Sequence, residues 1–423
     1  MTVLDRDLRL EDISLENDAF SERIPHESFA LLRREAPVWW YDWPLGRGFW
    51  CVTKHADVVA VSRDTRTFTS EQGANLEDLD EEQRAARQSM LETDPPRHTR
   101  LRGLVGPPFT PRAVRAYELV LRELTDAVLD RALARTEFDF VEEVAKQLPI
   151  RVLARLLGAP DEDTVPLIDW GDRMIGNTDP ELADVLHDSP ESEQYRMLPF
   201  RSPAALELFE YGHRLAAARR RAPEDDLVSK LVHAEIDGER LSERELDTMF
   251  LLLVVAGNET TRQAIAHGML ALAEHREEWK RLAAEPGLVA VSAADEILRW
   301  SSPVLHFRRT ATRDVELGGR AIRAGDKVVV WYVSANFDEE VFEDPFRFDV
   351  GRRPNPHVTF GGGGPHYCLG AHLAKLEVQV MFEALLPRLA NLELTAAPER
   401  MRTNFTNALK RMPVRVTTKE QGS

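Results

Sequence analysis

Residues 360–370 read Phe360-Gly-Gly-Gly-Gly-Pro-His-Tyr-Cys368-Leu-Gly370. Four consecutive glycines open backbone conformations closed to other residues and let the chain approach a flat object closely. A helical apolar pattern, Leu369 to Leu389, starts directly after Cys368. A cysteine at a helix N-terminus sits where backbone N–H groups and the helix dipole favour the thiolate, and a thiolate is a soft metal ligand. Three readings fit such a loop. Haem iron held by a cysteine thiolate is the arrangement that pushes electron density towards O–O cleavage. A Gly-rich loop before a helix also cradles phosphate, although Gly-x-x-x-x-Gly-Lys-Ser/Thr is absent. Zinc on His366, Cys368 and His372 is the third, with a ligand spacing that matches no closed zinc pattern.

Upstream, Met249 to Gln263 reads MFLLLVVAGNETTRQ. An apolar helix is interrupted there by Gly257, Asn258, Glu259, Thr260 and Thr261. Gly weakens a helix and Thr can bond back to the preceding turn, so a local bulge is expected. An acid beside an alcohol inside an apolar helix is costly unless partnered, which points to proton delivery beside a reaction centre. Glu296-Ile-Leu-Arg299 places an acid and a base three apart on one helix face, and Ser301-Ser302-Pro303 ends that helix. Taken alone, such a pair is usually a solvated surface contact. Pro95 to Tyr117 holds five arginines, His98 and no acid, a local excess of positive charge that suggests an anionic partner, either a bound carboxylate or an acidic protein.

The rest of the chain limits the alternatives. Lys plus Arg number 54 and Asp plus Glu 71, so the net charge is −17 and general nucleic-acid binding is excluded. With 43% hydrophobic and 30% charged residues over 423 positions, the chain can fold and bury a cofactor-sized pocket. Two cysteines cannot make a disulfide framework, and a reducing cytoplasm is the simplest compartment. Cys51, between Trp50 and Val52, reads as core packing. The N-terminus lacks an apolar signal region and the run Met249 to Gly257 is too short to span a bilayer, so no membrane anchor is expected. Helical spacing dominates at 113–133, 206–221, 243–277, 288–300 and 369–389, with short strand signals at 48–53, 314–317 and 321–331. The expected fold is mainly α, with a minor β region.

In this order, these motifs resemble the cytochrome P450 family, specifically the soluble bacterial haem-thiolate monooxygenases. The likeness runs from about Ile24 to Val416 and treats 1–423 as one domain with the family's triangular helical prism. The resemblance implies haem b, iron-protoporphyrin IX, with Cys368 as axial ligand. It implies that His98, Arg102, Arg309 and His366 bind the propionates, with Arg309 preferred over Arg308 because it lies five before Asp314. Glu259 and Thr260 would handle protons, while Glu296 and Arg299 would form a structural network with the segment after Asn336, near Phe346 to Phe348. Phe360 and Gly361 would lie against the cofactor. The family's usual spacing places a Phe seven residues before the cysteine. Here Gly361 holds that position and Phe360 is one earlier, so the loop is one residue longer. A similar longer loop occurs in a subgroup resembling actinobacterial sterol and methyl-branched-lipid hydroxylases. Val38-Trp39-Trp40, Gly176-Asn177-x-Asp179-Pro180 and Ser334 to Phe342 also look like that subgroup.

The implied reaction is hydroxylation of an unactivated C–H bond with O₂ and two electrons, drawn from NAD(P)H through a ferredoxin reductase and a ferredoxin. The substrate is expected to be a hydrophobic small molecule, a sterol or steroid side chain or a branched isoprenoid lipid. A compact terpenoid or a polyketide is the alternative, and a haem-thiolate sensor the non-catalytic one. Expected pocket positions are Leu253, Val255, Ala256, Val304, Leu305, His306 and Phe405. His306 reads equally as a polar anchor or as a core histidine satisfied by backbone.

Overall fold

The computed structural model describes residues 8–236 and 238–419. Helices form where apolar residues recur at three-four spacing. Those that position the site are α1 (Arg97–Val105), α2 (Gln147–Leu157), α3 (Thr164–Ile175), α4 (Ala204–Arg221), α5 (Glu243–Glu274), α6 (Ala294–Ser301) and α7 (Ala371–Arg388). The 32-residue α5 is the central pillar and packs against α2, α3, α4, α6 and α7. Its start is fixed by a capping box in which the Ser242 and Glu245 side chains satisfy each other's backbone N–H.

The bulge expected at Gly257 to Thr261 does not form, and α5 is continuous through it. Gly257 serves close packing instead. A Cβ there would come within 3.3 Å of the Leu153 side chain on α2. Other expected helices are divided. The 113–133 pattern is two helices, Pro111–Ala116 and Glu118–Ala132, meeting at Tyr117, whose N–H is shared by the Ala113 and Val114 carbonyls. The 243–277 pattern ends at Glu274, where His275 leaves helical geometry. Pro149 and Pro166 hide α2 and α3 from a reading that treats proline as a break. Pro166 sits in the first turn of α3, where a missing N–H costs little, and Pro149 lies in α2 directly after the π-helical turn Val141–Ala145.

The main sheet contains β1 (Val38–Tyr41), β2 (Phe49–Val52), β3 (Phe68–Thr69), β4 (His306–Ala311) and β5 (Lys327–Trp331), in the order β1-β2-β5-β4-β3. β5 runs parallel to β2 and antiparallel to β4. The fold is therefore mainly α with a small sheet region. Cys51 is fully buried in the core behind this sheet. A second sheet joins Leu389–Leu394, Pro413–Thr418 and Glu137–Asp139, outside the expected β regions. Among the described residues, no helix is long and apolar enough to cross a membrane.

Candidate functional site

The glycine loop folds back on its own cysteine. The Cys368 N–H donates to the Phe360 carbonyl at 2.9 Å, and the Gly361 N–H donates to Val358 at 2.8 Å. Phe360 therefore closes the loop despite the extra residue, with its ring 5.8 Å from His357 and 6.3 Å from Tyr367. The turn needs glycine at Gly361, where φ is +95°. It also needs glycine at Gly364, where φ is +79° and a Cβ would meet the Ser62 carbonyl oxygen at 2.7 Å. The Cys368 thiol is accessible yet deep. Burial pushes its pKa up, while the Gly370 N–H and the Arg102 charge pull it down. The net direction of these influences is upward. α7 begins only at Ala371, so one backbone N–H reaches the sulfur instead of a full turn of donors.

Beside the loop, basic side chains from three parts of the chain converge. His98 and Arg102 come from α1, Arg309 from β4 and His366 from the loop. The His98 and His366 rings lie 4.3 Å apart. Burial, then the charges of His366 and Arg102, lower His98 to about 4. Burial also lowers His366, reinforced by Arg309 and Arg102 and opposed by Asp94, whose carboxylate lies 3.2 Å from its Nε2. His98 Nδ1 and Arg309 Nε are buried without partners. Arg308 points the other way, as alternation along a strand requires, and donates to the Glu77 carbonyl at 2.7 Å. This set fits the haem that the resemblance implies. One residue offers a soft sulfur ligand, and the two arginines, the two histidines and the orphaned nitrogens suit the carboxylates at the rim of such a group.

On the other side, α5 shows an unusual surface. Ala256 is exposed and Thr260 partly so, although Val255, Asn258, Glu259, Thr261 and Arg262 around them are buried. Ala256 and Thr260 face an internal cavity of about 680 Å³. The Thr260 hydroxyl donates to the Ala256 carbonyl at 2.9 Å. Glu259 also borders the cavity, but its carboxylate pairs with Arg262 and accepts from Gln263 at 2.8 Å. Arg262 continues to Asp172 on α3 at 2.7 Å, and Lys146 reaches Asp172 at 2.9 Å. Sequence neighbours on a helix diverge by about 100°. Thr260 and Glu259 therefore serve different surroundings.

Of the expected pocket positions, Val255, Ala256, Val304, His306 and Phe405 line the cavity. Leu253 and Leu305 do not, and both are buried in the core. Leu253 is off the helical stripe that contains Thr260. Stepping back by four gives Ala256, Leu252 and Thr248, all on the wall, and that periodicity was the available signal. Leu305 alternates with Val304 and His306 along the strand and points to the core behind the sheet. The cavity mouth holds a cluster that no short motif announces. Glu77 accepts from Arg87 and Arg201 at 2.6 Å each, with His187 at 3.5 Å. Burial alone would raise Glu77, but these cations bring it to about 2.

Away from the cavity, Glu296 and Arg299 form two 2.8 Å bonds with both side chains fully buried. Arg299 also donates to the carbonyls of Asn336 and Pro345, at 2.8 and 3.0 Å. Arg352, Asn355 and the Asp349 N–H complete the Glu296 carboxylate.

Comparison with known proteins adds an independent line. The family described as cytochrome P450 matches residues 207–416. A steroid C26-monooxygenase of Mycobacterium tuberculosis is 41% identical over 414 residues, covering 93% of this chain and 90% of the relative. A methyl-branched lipid omega-hydroxylase of the same organism is 40% identical over 412 residues, covering 95% and 93%. A solved cytochrome P450 of Mycobacterium marinum, in complex with pseudoionone, superposes with a TM-score of 0.84 at 41% identity, covering 92% of this chain and 94% of that one.

Proposed function

The chain belongs to the cytochrome P450 family and is a haem-dependent monooxygenase, and on that premise we propose that it hydroxylates a large, elongated, apolar lipid near a chain end. The candidates are a sterol or steroid side chain and a methyl-branched lipid. The observation that carries this reading is the apolar stripe of α5. Leu251, Leu252, Val255 and Ala256 run along the cavity wall to Thr260, faced by Val304, Phe307 and Phe405. Burying a lipid there yields roughly 25 cal/mol per Å² of apolar surface before the costs of binding. Along this apolar stretch of the wall, shape selects which carbon reaches the reaction centre. The activities for which the two mycobacterial relatives are named support the same substrate class.

The haem, when bound, supplies the oxygen chemistry. In this reading Cys368 holds its iron, while His98, Arg102, Arg309 and His366 neutralise its carboxylates. Thr260 holds a hydroxyl at the cavity surface where a proton can be passed. Glu259 supplies the neighbouring acid once it leaves Arg262. Electrons arrive through redox partners. We assign an NAD(P)H-dependent reductase and an acidic ferredoxin to that role. Arg112 and Arg115 are exposed and make no ion pair among the described residues, whereas Arg97 is spent on Glu245. Such a basic patch steers an acidic partner, and its effect weakens with salt.

The test is a ligand panel of cholest-4-en-3-one, a methyl-branched fatty acid, a small terpenoid and a macrolide. Each is scored by haem spin-state shift and then by product mass in a reconstituted turnover. The expected outcome is a shift and a product one oxygen heavier with the sterol, the branched acid or both. Turnover of the small terpenoid alone would defeat the elongated-lipid reading.

A further inference from the structure

At the cavity mouth one charged side chain is unclaimed. Arg84 lies one turn before Arg87 on the short helix Glu81–Arg87, and both line the cavity. Arg87 and Arg201 are held by Glu77. Arg84 is held by no carboxylate. Its Nη1 donates to the Leu79 carbonyl at 2.7 Å, and among the described residues Nε and Nη2 have no acceptor. The residue is partly exposed, so a molecule in the cavity can reach it. Two acids of the wall lack an ion pair among the described residues, the exposed Glu71 and Glu92, which bonds to Ser89. Neither lies within ion-pair distance of Arg84. Deeper in, both ring nitrogens of His306 are sealed from the cavity, so the reading of His306 as a polar anchor fails.

The surroundings of Arg84 carry more positive charge than they neutralise. Asp78 pairs with Arg47 at 3.1 Å and with Lys327 at 3.0 Å. Arg308 lies close enough to feel the charges of Asp78, Arg47 and Arg84, and it donates to the Glu77 carbonyl and the Thr310 hydroxyl. Arg47, Arg84, Arg308 and Lys327 are thus gathered beside one carboxylate, Asp78, while Glu77 is taken by Arg87 and Arg201. Burial lowers Arg308 to about 10 and Lys327 to about 8. Asp78 opposes both shifts and the neighbouring arginines add to them. Such a local deficit of acid, in a chain of net charge −17, is a place for an anion. Of these four cations, Arg84 is the one that lines the cavity.

We propose that Arg84 anchors the carboxylate of the elongated lipid, so that the substrate is a branched fatty acid bound with its ionised head at the mouth. The proposal rests on the lipid reading above and narrows it to an acid. Nε and Nη2 of a guanidinium point the same way and match the two oxygens of a carboxylate. An alcohol or an ester brings no opposite charge to that fork. With the head held at the mouth, the apolar chain runs along Leu252, Val255 and Ala256, and its far end lies towards Thr260. The length between head and reaction centre then sets which carbon is hydroxylated.

The experiment compares dissociation constants of isostearic acid, its methyl ester and isostearyl alcohol, read by haem difference spectroscopy at neutral pH, where the acid is ionised. Wild type should bind the acid about fivefold more tightly than the ester or the alcohol, the worth of a charge-assisted contact partly screened by solvent. That advantage should shrink as salt is raised. Arg84→Gln should cut it to within about twofold, and Arg84→Lys, which keeps the charge but not the fork, should retain part of it. In turnover, Arg84→Gln should spread hydroxylation of the acid inward from the branched end. Each variant is first checked for an intact carbon monoxide spectrum, so that misfolding is not read as lost recognition. No advantage for the acid in wild type, or an undiminished advantage and an unchanged product in Arg84→Gln, overturns the anchor while binding of the ester and alcohol upholds the lipid reading. If neither these three compounds nor cholest-4-en-3-one binds, both readings fall.

Discussion

Two clusters of ionisable side chains are built in opposite ways. Every side-chain oxygen and nitrogen of Glu296 and Arg299 is answered. The pair bonds twice to itself, and Arg352, Asn355, a backbone N–H and two carbonyls take the rest. Around His98, Arg102, Arg309 and His366 the groups are basic and incompletely partnered. Asp94 is the carboxylate bonded within the cluster, and two nitrogens have no partner. A closed cluster holds the fold together, because buried ions survive only when fully satisfied. An open one is a binding site seen from the protein's side. The same logic separates the alcohol and acid of α5. Thr260 faces the cavity, whereas Glu259 is drawn into the Arg262–Asp172 network.

The largest effect should come from breaking the closed cluster. Arg299→Ala strands a fully buried carboxylate and should cost about 3–5 kcal/mol, removing much or all of the stability margin. Urea unfolding of purified protein, or loss of soluble protein altogether, reads this out. A near-normal midpoint would mean that Arg352 and Asn355 suffice and that the cluster is less closed than it looks.

Next comes the open cluster. Arg309→Ala should speed loss of haem to an acceptor such as apomyoglobin by about tenfold, one charge-assisted hydrogen bond's worth. Arg308→Ala should leave that rate nearly unchanged, since Arg308 holds the Glu77 carbonyl instead. Equal haem loss in the two variants would erase the distinction between the faces of β4.

Glu377 on α7 sharpens the comparison at smaller scale. It is as buried as Glu296 but has an unpartnered oxygen, and burial raises its pKa to about 8. Between the ordinary value of 4.5 and about 8, the folded state keeps a proton that the unfolded chain releases. Stability therefore falls as pH rises through that window. Glu377→Gln should flatten this slope and stabilise the protein by on the order of 1–3 kcal/mol near pH 8, with little change near pH 4.5. Parallel pH-stability curves for the two proteins would show that Glu377 has an unrecognised partner.

How much of this was legible in the sequence follows from the range of each interaction. The loop at 360–370, the pair Glu296–Arg299 and the stretch Ala256–Thr260 are local, so spacing alone exposes them. Mainly α architecture follows from periodicity in the same way. Local pattern does not reveal where a buried side chain finds its partner. Arg262 captures Glu259 through a link to α3, and Glu77 gathers Arg87, His187 and Arg201 across more than a hundred residues. Leu253 lies in the core and not on the wall, and because hydrophobicity is uniform along that part of α5 only the phase set by Thr260 separates the two.

The central claim is that Cys368, and not Cys51, is the sulfur that makes this a haem-thiolate enzyme. The reduced carbon monoxide spectrum tests it directly. Wild type and Cys51→Ser should show the strongly red-shifted Soret band of the family, because Cys51 is buried in the core behind the sheet, where burial drives its thiol well above the usual range. Cys368→Ser should lose that band. If Cys368→Ser keeps the band, or Cys51→Ser loses it while still folded, the account is wrong at its core.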